Sequence, residues 1–193
     1  KTIDNKKIKV FANISSSLEV DNVIENNADG IGLFRSEYLY LNSSTFPSED
    51  EQFIQYKKCV SSLKDKPTII RTMDIGADKQ VAYFNISKEK NPALGYRGVR
   101  LYKEYKEVFM TQLKALLRTS IYGNLRIMIP MVTNIDEILF VLNCVNEAKK
   151  DLSLRNIPYN NVKIGAMIET PAAALICDQI AKYVDFFSIG TND

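Results

Sequence analysis

The chain has 193 residues, with 25 basic and 23 acidic side chains and a net charge of +2. Charges this evenly mixed argue against a nucleic-acid or membrane surface, and the length allows one domain with a sizeable core. Histidine is absent, which excludes a Ser/His/Asp triad, a histidine metal site and a phosphohistidine within this stretch. No run is long and apolar enough to span a bilayer, and the lysine-rich start lacks a signal-peptide pattern, so a cytoplasmic protein is expected. Cys59, Cys144 and Cys177 are widely spaced and fall within helical patterns; they read as buried, inert thiols in reducing surroundings.

Short apolar strands alternate with amphipathic helices along the chain. Strand 9–14 leads to Ser16-x-x-Glu19, a capping-box pattern ahead of Leu18, Val23 and Ile24, with Gly30 placed to close that turn. Strand 30–34 follows, and Ser48-x-x-Glu51 then opens a helix with Phe53, Tyr56, Val60 and Leu63 at helical spacing. After strand 68–72 comes an irregular stretch, 74–98, too long for an ordinary connection and expected to be a functional loop. A helix over about 103–122 stops at Gly123, and strand 125–132 precedes a helix from near Asn134 with Ile138, Leu142, Val145 and Ala148 on one stripe. Strand 162–168 runs into Glu169, where Thr170-Pro171 supplies an N-cap and a first-turn proline for another helix. Strand 185–189 comes last.

Alternation of this kind implies a parallel sheet covered by helices, either open and doubly wound or a (β/α)8 barrel. Polar residues decide between them. Asn13, Arg35, Arg71 with Asp74, Glu169, and Asn192 with Asp193 all fall at strand carboxyl ends, where a barrel builds its site from several strands. An open sheet would gather them at one switch point. The reading is therefore an incomplete (β/α)8 TIM barrel, with about six of eight strand–helix units within 1–193.

A carboxylate at the end of a buried strand needs a partner, and Glu169 and Asp193 together would make a Mg²⁺ site. Arg35 and Arg71 directly follow apolar strands, and Arg97 and Arg100 lie on the long loop. Guanidinium forks match phosphate and carboxylate oxygens two at a time, so a small phosphorylated acid chelated to the metal would suit the set. Plainer roles stay open at this point. Arg35 could pair with Glu37 and Arg71 with Asp74, Thr170 could hold Glu169 through its amide and hydroxyl, and the run ending in Asp193 could be a turn.

Five runs carry a family resemblance. They are Gly-Ile-Gly-Leu-Phe-Arg-Ser-Glu (30–37), Arg-Thr-Met-Asp-Ile-Gly-Ala-Asp-Lys (71–79), Asn-Pro-Ala-Leu-Gly-Tyr-Arg (91–97), Met-Ile-Glu-Thr-Pro-Ala-Ala (167–173) and Phe-Phe-Ser-Ile-Gly-Thr-Asn-Asp (186–193). In order and approximate spacing, over essentially the whole chain, they resemble the phosphoenolpyruvate-binding barrel of Enzyme I of the bacterial sugar phosphotransferase system. The resemblance implies that Arg35, Arg71 and Arg97 bind substrate phosphate, that Asn192 helps hold the substrate, and that Glu169 and Asp193 ligate Mg²⁺. It implies a phosphotransferase that moves the phosphoryl group of phosphoenolpyruvate to its own histidine and then to HPr, driving sugar uptake. It also implies a homodimer.

The resemblance also sets limits. The family continues into two further barrel units, with another substrate arginine and the cysteine that protonates the enolate, and its phosphohistidine and HPr-binding domain lies N-terminal to the barrel. None of these falls within the stretch, and no cysteine here matches that motif, so no catalytic residue is expected in it. The stretch alone is expected to be inactive, to bind substrate weakly or not at all, and to self-associate across its open barrel. Ala12-Asn-Ile-Ser-Ser lacks a glycine usual in the family, and Ala77 replaces the second glycine of Asp-Ile-Gly-Gly-Asp-Lys; both read as tolerated variants. Two alternatives remain: the similar barrel of phosphoenolpyruvate synthase or pyruvate phosphate dikinase, and a non-catalytic dimerisation module.

Overall fold

A computed structural model describes the chain except for residues 77–80, 82, 87, 88, 92, 93, 192 and 193. Its strands are β1 (Ala12–Ile14), β2 (Ile31–Arg35), β3 (Thr68–Arg71), β4 (Leu125–Ile129), β5 (Lys163–Ile168) and β6 (Phe186–Ile189). They form one six-stranded sheet in the order β1-β2-β3-β4-β5-β6, and every neighbouring pair is parallel. A strand order that follows the sequence has no switch point, which separates a barrel from a doubly wound sheet. The helices are α1 (Val20–Glu25), α2 (Glu37–Leu41), α3 (Glu49–Leu63), α4 (Lys106–Thr119), α5 (Ile135–Leu154), α6 (Pro171–Leu175) and α7 (Cys177–Ile180), with α4 packed between α3 and α5. The result is a curled half-barrel flanked by helices, an incomplete (β/α)8 architecture.

Period-two alternation sorts the strand side chains. Ile70 of β3, Leu125 and Ile127 of β4, and Ile164 and Ala166 of β5 join the apolar core beneath the helices. Arg71 and Met167, next in alternation, turn to the opposite, interior face. The helices hold to the sheet through buried stripes such as Tyr56, Cys59, Val60 and Leu63 on α3 and Ile138, Val141, Val145 and Ala148 on α5.

The expected capping boxes form at Ser16–Glu19 and Ser48–Glu51, and a third forms at Asn134–Glu137. The first opens one 3-10 turn, Ser17–Glu19, before α1. Gly30 does not close α1. The chain leaves through Asn27 at φ +52, and the Ala28 N–H donates back to the Val23 carbonyl at 3.2 Å, because asparagine tolerates the left-handed region at a helix end. Gly30 serves a close approach instead, since a Cβ there would lie 2.3 Å from the Pro67 carbonyl oxygen. Thr170 caps α6 as its sequence implies, accepting from the Ala173 N–H at 3.1 Å. The helix then breaks at Ile176 into two short pieces.

The described part of the long β3–α4 connection is packed rather than open. Met73, Ile75, Val81 and Phe84 are buried, and Phe46, Tyr83, Phe84 and Tyr105 form a ring cluster over it. Cys59 and Cys144 are buried as expected, and burial pushes their thiols up to about 12 and about 11. The native thiols keep protons that an unfolded chain releases, so folding stability falls as pH rises from about 8.5 toward the native values. Cys177 departs from expectation: it opens α7 and is partly exposed. Among the described residues no helix is long and apolar enough to cross a membrane.

Candidate functional site

Register brings the strand-end residues together. Arg35 and Arg71 are direct partners across β2 and β3. Like charges placed opposite one another repel, so the pair requires anions nearby. Glu37 and Asp74 supply them: Arg71 Nη2 lies 2.6 Å from Glu37 Oε1 and 3.1 Å from Asp74 Oδ2. Asp74 also grips Arg97 through both oxygens, Oδ1 to Nε and Oδ2 to Nη2, each at 2.9 Å. All four residues are buried. Burial works against the Arg71 charge, but Asp74, Glu37 and Glu169 outweigh it and raise its pKa above the ordinary arginine value.

Of the plain ion pairs the sequence offered, Arg71–Asp74 therefore forms. Glu37 meets Arg71, because α2 turns the carboxylate back over β3. Arg35 instead places its guanidinium 4.9 Å over the Tyr38 ring. A short helix of five residues gives no periodic signal, so α2 and the reach of Glu37 were not legible in advance.

Arg35, Arg71 and Arg97 line one concavity of about 200 Å³, with Asn13, Met167 and Gly190 in its wall. The Nε–H groups of Arg35 and Arg71 are themselves enclosed and meet no hydrogen-bond acceptor among the described residues. The guanidinium charges of the arginines that line the concavity match the oxygens of an anionic ligand.

Glu169 ends β5 close by, 6% exposed, and its Oε1 accepts from the Met131 N–H at 2.6 Å. Thr170 does not hold it, because the Thr170 hydroxyl donates to the Val132 carbonyl at 2.6 Å. Met131 is buried with φ +56, a strained conformation for a bulky residue. That backbone aims its amide at Glu169, a detail no sequence pattern announces. Gly98 faces it with φ +58, where a Cβ would meet the Met131 Cβ at 3.0 Å and Asp74 Oδ1 at 3.3 Å. Gly190 brings the end of β6 equally near, since a Cβ there would lie 2.8 Å from the Glu169 Cβ.

Asn192 and Asp193 lie outside the described residues. Among the described residues no group of three or more metal-ligating side chains occurs. Glu169 fits a hard cation by its chemistry, as a carboxylate held at a strand end beside a phosphate-type arginine set. Three guanidiniums face three carboxylates, Glu37, Asp74 and Glu169, so this part of the site is close to neutral. A bound cation would restore the positive field that a multiply charged anion needs.

A parallel half-barrel with arginines and a carboxylate gathered at its strand carboxyl ends defines a barrel-type domain for a small anionic ligand. The chain belongs to the PEP-utilising enzyme family: the family model described as "PEP-utilising enzyme, PEP-binding domain" matches residues 1–193. Similar proteins include the phosphoenolpyruvate-protein phosphotransferase of Mycoplasma capricolum subsp. capricolum, 49% identical over 193 residues, which are 100% of this chain and 34% of the relative. The protein of the same name from Geobacillus stearothermophilus is 46% identical, over 100% of this chain and 33% of the relative. Multiphosphoryl transfer protein 1 of Escherichia coli is 45% identical, over 98% of this chain and 23% of its own length. The chain thus spans between 23% and 34% of the length of these relatives.

Proposed function

We propose that residues 1–193 are part of the phosphoenolpyruvate-binding barrel of an Enzyme I-type phosphotransferase. The parent protein moves the phosphoryl group of phosphoenolpyruvate to its own histidine and then to HPr, and so drives sugar uptake. The observation that carries the reading is the pair of arginines, Arg35 and Arg71, set side by side by parallel register and both lining the concavity. Two forked cations on neighbouring strands, braced by carboxylates behind them, suit a tetrahedral phosphate better than a planar neutral group.

In this reading Arg35 and Arg71 bind the phosphate, Arg97 adds charge from the side, and Asn192 orients the substrate. Glu169 and Asp193 hold Mg²⁺, which when bound neutralises substrate oxygens as a Lewis acid. The arginines offset negative charge as the phosphoryl group departs, and phosphoryl transfer depends mostly on such positioning and electrostatics. Glu37 and Asp74 hold Arg71 and Arg97 in place, and Met131 fixes one oxygen of Glu169. The accepting histidine and the HPr-binding surface belong to another domain of the parent, which works in the cytoplasm as a homodimer.

Calorimetric titration of the full-length protein, with its accepting histidine replaced by alanine so that no phosphoryl group is transferred, tests this assignment. With Mg²⁺ present, phosphoenolpyruvate should bind at least about tenfold more tightly than pyruvate, which lacks the phosphate and its charge-assisted hydrogen bonds. Equal affinity for the two would remove the arginines from the phosphate.

A further inference from the structure

Behind the ion cluster lies a buried, uncharged hydrogen-bond network centred on Gln112 of α4. Gln112 is fully buried, as are Ser36, Gln52, Tyr40, Tyr56 and Met73 around it. Its Oε1 accepts from the Met73 N–H at 2.9 Å. Its Nε2 donates to Ser36 Oγ at 2.9 Å and to the Tyr56 hydroxyl at 3.0 Å. The Ser36 hydroxyl in turn donates to the Arg71 carbonyl at 2.5 Å, and the Tyr56 hydroxyl donates to Gln52 Oε1 at 3.0 Å. Gln52 Nε2 ends the chain on the Pro47 carbonyl at 2.9 Å, and Tyr40 also donates to Gln52 Oε1, at 3.2 Å.

The hydroxyl protons of Ser36 and Tyr56 are committed elsewhere, so both oxygens can only accept from Gln112. The position needs a side chain with one acceptor and two donors, and an amide of this length supplies both.

The connections are placed to matter for binding. Through Met73, and through Ser36 to the Arg71 carbonyl, Gln112 holds both backbone sides of the step between Arg71 and Asp74. Through Ser36 it also fixes the residue preceding Glu37. Among those three charged residues, Arg71 meets Glu37 at 2.6 Å and Asp74 at 3.1 Å.

We infer that Gln112, whose side chain lies in the layer between helix and sheet, is a positioning residue that sets the aim of Arg71 toward the phosphate. The inference rests on the phosphate-binding reading above. A displacement of about 1 Å can cost about a hundredfold in a site that works by orientation, so loss of this clamp acts on affinity as well as on stability.

The test compares affinities for phosphoenolpyruvate with Mg²⁺, in full-length protein whose accepting histidine is replaced by alanine, with urea stability measured alongside. Gln112→Met keeps the length and removes the polar atoms; it should weaken binding about tenfold or more. Ser36→Ala removes the bridge from Gln112 to the Arg71 carbonyl, leaving the Met73 contact of Gln112 in place, and should weaken it about threefold. Tyr40→Phe cuts the far end of the same network and should lower stability while leaving affinity within about twofold. Wild-type affinity in Gln112→Met, or in Ser36→Ala should Gln112→Met fail to fold, overturns the inference alone. A loss in Tyr40→Phe as large as that in Gln112→Met also overturns it, since the effect would then follow general loosening. A wild-type protein that binds no phosphoenolpyruvate overturns the functional reading and this inference together.

Discussion

Arg71→Ala should abolish measurable phosphoenolpyruvate binding and lower stability by about 3–5 kcal/mol, the range for breaking a buried ion pair from one side. The two losses share a cause. Arg71 is 5% exposed and stands against Glu37 and Asp74, both fully or almost fully buried. Removing it leaves two carboxylates in low dielectric, with Arg97 the remaining described ion-pair partner of Asp74. Arg71→Lys separates the two effects. A lysine keeps the charge but is a compact point donor, unable to serve Glu37, Asp74 and a phosphate at once. It should recover much of the stability and little of the affinity. Urea unfolding and calorimetry on the same samples measure both, and full affinity in Arg71→Lys would show that the fork is not used.

Glu169→Gln should leave the fold intact yet raise the Mg²⁺ concentration needed for half-maximal activity at least about tenfold, with turnover falling by about a hundredfold or more. A glutamine can present its carbonyl oxygen to the Met131 N–H and keep the 2.6 Å contact that Glu169 makes. What it cannot supply is the charge that a hard cation requires. Circular dichroism and melting guard against a folding defect, and Mn²⁺ binding followed by electron paramagnetic resonance reads the metal directly. Unchanged Mn²⁺ affinity would remove Glu169 from the metal site whatever happens to turnover.

The local features were legible because they are written over a few residues. Serine three residues before glutamate announced helix starts at Ser16 and Ser48, and Thr170-Pro171 marked the start of α6. Arginines and a carboxylate directly after apolar runs placed Arg35, Arg71 and Glu169 at strand ends, and parallel pairing made Arg35 and Arg71 neighbours.

Partnership across the chain was not legible. Arg71 meets Glu37 from 34 positions away and Met167 from 96, and Gln112 reaches Ser36 across 76. Gln112 looked like any polar residue on an amphipathic helix, and only packing shows that it points inward. The strained φ of Met131 has no sequence signature at all, because proline and glycine are absent at the position and the surrounding fold imposes the conformation. The expected contributions of Asn192 and Asp193 lie outside the described residues and stand as proposals.

The most direct measurement is transfer of label from [³²P]phosphoenolpyruvate by the full-length protein with Mg²⁺ and HPr and without any nucleotide. Label arriving on HPr through an acid-labile phosphohistidine of the enzyme, and lost in Arg71→Ala, is the predicted result. No transfer without nucleotide, with pyruvate phosphorylated once ATP is supplied, would contradict the account and assign the barrel to a synthase or dikinase instead.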